Sequence, residues 1–96
     1  MSGKNNMTLG EAINRMIDEF KLRPRINEAR IRTRWSELMG VTIARHTQRI
    51  ALKNGKLYIQ ISSAPLKNEL LYSRDKIKEI FNQEFQEEVV TQVIIY

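Results

Sequence analysis

The dipeptide Asn54-Gly55 constrains this chain more than any other feature, because it separates two alternating apolar runs, RIALK before it and KLYIQI after it. Asn-Gly readily takes the positive φ angles of a two-residue type I′ turn, so it predicts a β-hairpin and fixes its register. Strands are expected from about Thr47 to Lys53 and from Lys56 to Ser62. In that register Lys53 faces Lys56, the pairs Leu52/Leu57 and Ile50/Ile59 share one face, and Ala51/Tyr58 and Arg49/Gln60 share the other. One face is apolar enough for a core; the other is basic and polar.

The segments around the hairpin read as helices and one further strand. Thr8 with Glu11 forms a capping-box pattern, and Leu9, Ala12, Ile13, Met16, Ile17 and Phe20 recur behind it at helical spacing. This predicts a first helix over about Leu9–Leu22 with its stripe in the core. Pro24 disfavours helix at Arg23, so residues 21–25 read as a basic connector. Asn27 is placed to cap a second helix that turns Ile31, Trp35, Leu38 and Met39 inward, and Gly40 is placed to end it. A short helical turn is expected over Val41–His46. Pro65 suits the first turn of a third helix and pushes Ala64 toward an extended conformation. That helix buries Leu66, Leu70, Ile77, Ile80 and Phe81 and runs to about Gln86. Val89–Tyr96, β-branched and aromatic, reads as the last strand. The predicted fold is α+β, ordered ααββαβ: two N-terminal helices, a hairpin, a long helix and a C-terminal strand, with helices covering one face of a three-stranded sheet. Residues 1–96 make one domain, of which 1–7 are expected to be flexible.

Composition excludes several classes of function. The chain has no cysteine, hence no disulfide framework and no thiolate metal site. No apolar run approaches the roughly 20 residues that span a bilayer. The start, MSGKNNMT, lacks the apolar segment of a secretory signal, so a cytoplasmic location is expected. His46 is the sole histidine, and neither a Ser/His/Asp set nor a phosphate-cradling glycine loop accompanies it. It reads as a capping or packing residue, and Glu84, Glu87 and Glu88 read as a solvated face. No enzymatic activity, cofactor, metal or small-molecule substrate is expected.

Charge points elsewhere. From Lys21 to Lys56 there are ten Lys/Arg against Glu28 and Glu37, whereas the flanking segments are each slightly acidic. Such a concentration is the footprint of a surface that meets phosphates, although it equally serves solubility. The candidate nucleic-acid-binding residues are Arg23 and Arg25 in the connector, Arg30 and Arg34 on one face of the second helix, and Arg49, Lys53 and Lys56 on the outer face or tip of the hairpin. Tyr58, in the same outward lattice, is placed to stack on an unpaired base. These residues form one patch if the second helix packs near the hairpin. A second stripe, Lys67, Leu71, Arg74 and Lys78, follows i, i+4, i+7, i+11 spacing along the third helix and is the candidate protein-partner surface. Trp35 has two readings, a core anchor beside Ile31 and Leu38 or a partner-facing hot spot.

The order of elements and four stretches of sequence resemble the DciA family, bacterial proteins that act on the replicative helicase. The stretches are Trp35–Gly40, Ala44-Arg45-His46-Thr47, Asn54-Gly55-Lys56-Leu57, and Ser62-Ser63-Ala64 leading to Glu69-Leu70. The resemblance runs from about Leu9 to Tyr96. Pro65 stands where the family often carries an aromatic, and the chain stops at its last predicted strand where many members carry a long flexible extension. The resemblance implies a KH-like variant of the predicted fold. It also implies a non-enzymatic DNA-binding module that assists loading or operation of the replicative DNA helicase. A KH-type site normally uses a Gly-X-X-Gly loop, which this chain lacks, so sequence-specific recognition of single-stranded RNA by that route is disfavoured. Composition alone leaves two alternatives open: an adaptor that meets an acidic protein, and a ribosome-associated RNA-binding domain.

Overall fold

A computed structural model describes residues 7–20 and 22–96; residues 1–6, within the stretch expected to be flexible, and Lys21 lie outside the described residues. The elements are α1 (Leu9–Glu19), α2 (Arg23–Met39), α3 (Val41–Arg45), β1 (Thr47–Lys53), β2 (Lys56–Ile61), α4 (Ala64–Leu71), α5 (Arg74–Phe85) and β3 (Gln92–Ile95). The fold is α+β, with helices packed on one face of a three-stranded sheet.

The hairpin has the register that Asn54-Gly55 dictates, from Lys53↔Lys56 through Leu52↔Leu57, Ile50↔Ile59 and Ala51↔Tyr58 to Arg49↔Gln60. Beyond that pair the register shifts, and Thr47 rather than Gln48 sits opposite Ile61. The extra residue is a bulge, which reverses the alternation and turns Thr47 inward. There the Thr47 hydroxyl accepts the Trp35 Nε1–H at 2.9 Å and donates to the Ile43 carbonyl at 2.7 Å. The bulge thus satisfies the one polar group of a buried tryptophan.

The sheet order is β1-β2-β3, and β3 runs parallel to β2. Parallel neighbours need a long crossover, which α4 and α5 supply. Gly55 ties the hairpin tip to the start of β3, since its carbonyl accepts the Thr91 N–H at 2.8 Å. Asn82 clamps the lead-in to β3 through two bonds to the Val90 backbone, at 2.8 and 2.9 Å. The core lies between the sheet and α2, α4 and α5, where Trp35 stacks on Phe81 with centroids 5.5 Å apart. At 3% exposure Trp35 is a core anchor.

Four local expectations are corrected, the first at Ala64, which is not extended but opens α4, the extended residue being its cap Ser63 (φ −101°, ψ 121°). Pro24 does not mark a connector: Arg23, Pro24 and Arg25 form the first turn of α2, where proline's missing N–H and fixed φ cost nothing. Asn27 is therefore buried inside that helix and accepts from Arg30, and it is not a cap. The long third helix is two helices, broken at Tyr72-Ser73. Ser73 leaves helical geometry (φ −108°, ψ 14°), and the Arg74 guanidinium satisfies the freed Leu71 carbonyl at 2.9 Å.

The largest difference concerns α1. Its capping box forms as expected, but the helix contains no buried residue. The Leu22 N–H bonds to the Ile17 carbonyl at 2.9 Å, and Arg23 reaches back to Asp18 and Asn14, so α1 is held as a prolongation of α2. The molecule is accordingly elongated, 62 × 20 × 20 Å. The apolar stripe of α1 follows the helical period as expected, but no other described residue buries it.

Candidate nucleic-acid interface

The core takes Ile50, Leu52, Leu57, Ile59, Val93 and Ile95 from one face of the sheet, and on the opposite face only Ala51 is buried. Strand pairing orders that opposite face into three cross-strand rows. Lys53, Lys56 and Gln92 make the row at the hairpin tip, and Ala51, Tyr58 and Ile94 make the middle one. Arg49, Gln60 and Tyr96 make the third, because the Tyr96 N–H and C=O bond to Ile59 and Ile61 on either side of Gln60. The middle row is apolar with a half-buried tyrosine at its centre; the outer rows bring three cations and a second tyrosine, 44% exposed.

Among the described residues, none of Arg49, Lys53 and Lys56 takes part in a salt bridge. Lys53 stands directly opposite Lys56, a cross-strand placement of like charges that costs stability unless an anion lies over it. Cations ringing a flat row of tyrosine and small apolar side chains can hold phosphates while ring faces take up bases.

The other predicted residues lie elsewhere. Arg34 is held by Glu37 and Glu84, and Arg30 lies over the Phe85 ring, its guanidinium carbon 4.1 Å from the centroid. Both therefore face α5, on the opposite side of the sheet from the hairpin's outer face. Arg23 is bound to Asp18, and Arg25 is exposed on the first turn of α2. The structure gathers Arg49, Lys53, Lys56 and Tyr58 and separates them from the α2 arginines. Of the second stripe, Lys67 and Leu71 lie on α4 and Arg74 and Lys78 on α5, so the break distributes it over two helices; Leu71 packs against the core. Between them Tyr72 is 93% exposed.

Sequence reasoning missed Tyr96 and Arg32. Period-two alternation through β3 was enough to place Tyr96 once the strand order was known. Arg32 belongs to a device at the free edge of β1. Its Nη2 donates to the Ile50 carbonyl at 3.3 Å, while the Glu28 carboxylate accepts the Leu52 N–H at 3.0 Å and pairs with Arg32 at 2.7 Å. Two side chains of α2 thus occupy edge positions that an added strand would use. The Leu52 N–H holds the Glu28 carboxyl below its ordinary value; burial opposes this, and Arg32 and Arg49 reinforce it. Beside this edge lies a cleft of about 590 Å³ lined by the Glu28–Arg32 pair with Thr47, Arg49 and Lys53.

His46 caps α3, and its ring Nδ1 lies 3.3 Å from the Ser62 hydroxyl, the packing role its sequence context suggests. Among the described residues no helix is long and apolar enough to cross a membrane.

Fold and surface together define a small α+β module with one sheet face open and basic. Residues 8–95 match the family model described as Dna[CI] antecedent, DciA. The match covers nearly the whole chain, and the protein belongs to that family. No curated protein and no solved structure matches it.

Proposed function

We propose that this protein is a non-enzymatic DNA-binding module that assists loading or operation of the replicative DNA helicase in the cytoplasm. The helicase half rests on family membership. The DNA half rests on one observation, the cations Arg49, Lys53 and Lys56, which make no salt bridge among the described residues, arrayed around Tyr58 on the open sheet face. Phosphate contacts to these cations give affinity without sequence preference, because the phosphate backbone is the same at every step of the sequence. The helicase is met on a separate surface, the shoulder where α4 and α5 join, which presents Tyr72 with Arg74, Lys78 and Lys67. An exposed tyrosine among cations is a typical hot-spot composition.

Two charge reversals test this division. Lys53→Glu with Lys56→Glu should weaken binding to labelled oligonucleotides and leave helicase association intact, while Arg74→Glu with Lys78→Glu should do the reverse. Loss of both activities in each folded double mutant would replace two surfaces by one.

A further inference from the structure

Helix α1 exposes Leu9 at 77%, Ile13 at 47%, Met16 at 56% and Phe20 at 67%. These four residues form one stripe with i, i+4, i+7, i+11 spacing, the seam of a short coiled coil. Eleven residues are too few for a helix to be stable in water by itself, and none of the residues of α1 is buried among the described residues. A contiguous apolar patch of this kind on a small soluble chain marks an interface.

The polar side of α1 narrows the choice of occupant. It carries Glu11, Asp18 and Glu19 against Arg15 alone. That is the wrong sign for DNA phosphates and for the anionic lipid surfaces that basic amphipathic helices bind. Folding back onto the same chain would break the Leu22–Ile17 backbone bond and the contacts from Arg23 to Asp18 and Asn14.

We infer that α1 is a homodimerisation element in which two copies pair their α1 helices antiparallel about a two-fold axis. The stripe is self-complementary under reversal. Leu9 meets Phe20 of the second copy and Ile13 meets its Met16, so the seam is apolar throughout; on the flanks Ile17 packs beside Gly10 of the second copy and Ala12 against the stem of its Glu19. Glu19 comes to lie at the level of the other helix's first turn, whose partial positive charge favours a carboxylate. The two helix dipoles also run opposed. Because α1 projects from the end of an elongated molecule, the two sheet domains lie at opposite ends of the pair and do not collide. The interface is isologous and smaller than the roughly 1,600 Å² of a standard complex, so the dimer is weak and concentration-dependent.

Sedimentation equilibrium of the full chain from about 1 μM to about 1 mM, the span in which a small interface fills, reads the dimer directly. The expected result is a mass rising from one copy toward two, and a fixed single-copy mass in Ile13→Asp/Met16→Asp with an unchanged thermal melt. Orientation follows from engineered thiols, which would be the only ones in the chain. Mixed Ile13→Cys and Met16→Cys proteins should oxidise to the cross-linked heterodimer in preference to either homodimer. A chain monomeric throughout, a dimer that survives the double aspartate, or preferential like-with-like cross-linking would each overturn the proposal, and capture of a different protein by a monomeric α1 would reassign the stripe.

Discussion

The Glu28 carboxylate accepts the Leu52 backbone N–H at 3.0 Å, so a side chain of α2 supplies the hydrogen bond that the outer edge of β1 would otherwise offer to a neighbouring strand. The same contact lowers the pKa of Glu28 from its ordinary 4.5. A carboxyl whose folded value is depressed stabilises the fold fully above its unfolded value and loses that contribution as pH falls through the folded one. Urea unfolding of the parent and of Glu28→Gln should therefore differ at neutral pH and converge on acidification below about 4.5. Curves that stay parallel into acid would remove the linkage.

Gly55 is held at φ +79°, and a Cβ there would lie 2.7 Å from the Thr91 hydroxyl oxygen. Gly55→Ala should cost roughly 1–2 kcal/mol from the left-handed backbone alone, with the clash in addition. Thr91→Ala in the same chain should restore only the part due to the clash. A double mutant no more stable than Gly55→Ala would show that the side chain yields freely.

Trp35 is stacked on Phe81, bonded to Thr47 and almost wholly enclosed. Trp35→Ala should cost roughly 3–5 kcal/mol, a large share of the stability of a domain this size. Chemical denaturation measures it, and a loss below about 1 kcal/mol would mean the cavity collapses readily.

How much of this was legible depended on whether the information was local. Asn54-Gly55 set the hairpin register residue by residue, and Thr8 with Glu11 set the start of α1, because turn and cap chemistry act within a few positions. The bulge at Gln48 was not legible, since it answers to Trp35 across the core. The stripe of α1 was read correctly as a helix face and wrongly as core: periodicity shows which side of a helix is apolar, but not what lies against it. Pro24 carries two opposed local signals, a bias against helix at the residue before it and a fitness for the first turn of a helix, and the second prevails. The basic residues were identified from charge alone, yet only their distribution over two sides of the fold separates Arg49, Lys53 and Lys56 from the neutralised Arg34.

Substituting Tyr58→Ala should leave the salt dependence of DNA binding unchanged while lowering affinity for single strands more than for duplex, by about 1–3 kcal/mol if one base stacks on the ring. Equal losses on both forms would assign Tyr58 to the fold and not to the contact.

The central claim, that the open sheet face meets DNA phosphates, is tested most directly by titrating labelled single-stranded DNA with the parent and with Lys53→Glu/Lys56→Glu over a series of salt concentrations. Each neutralised phosphate contributes about 0.7 to the log–log slope on single strands, so the parent should show a slope near 2 if all three cations engage. The double reversal should lower affinity about tenfold or more at low salt and flatten the slope by at least about 1.4, with the melt unchanged. Binding by the folded double mutant with the parent's affinity and slope would contradict the claim, as would a parent that does not bind DNA at low salt.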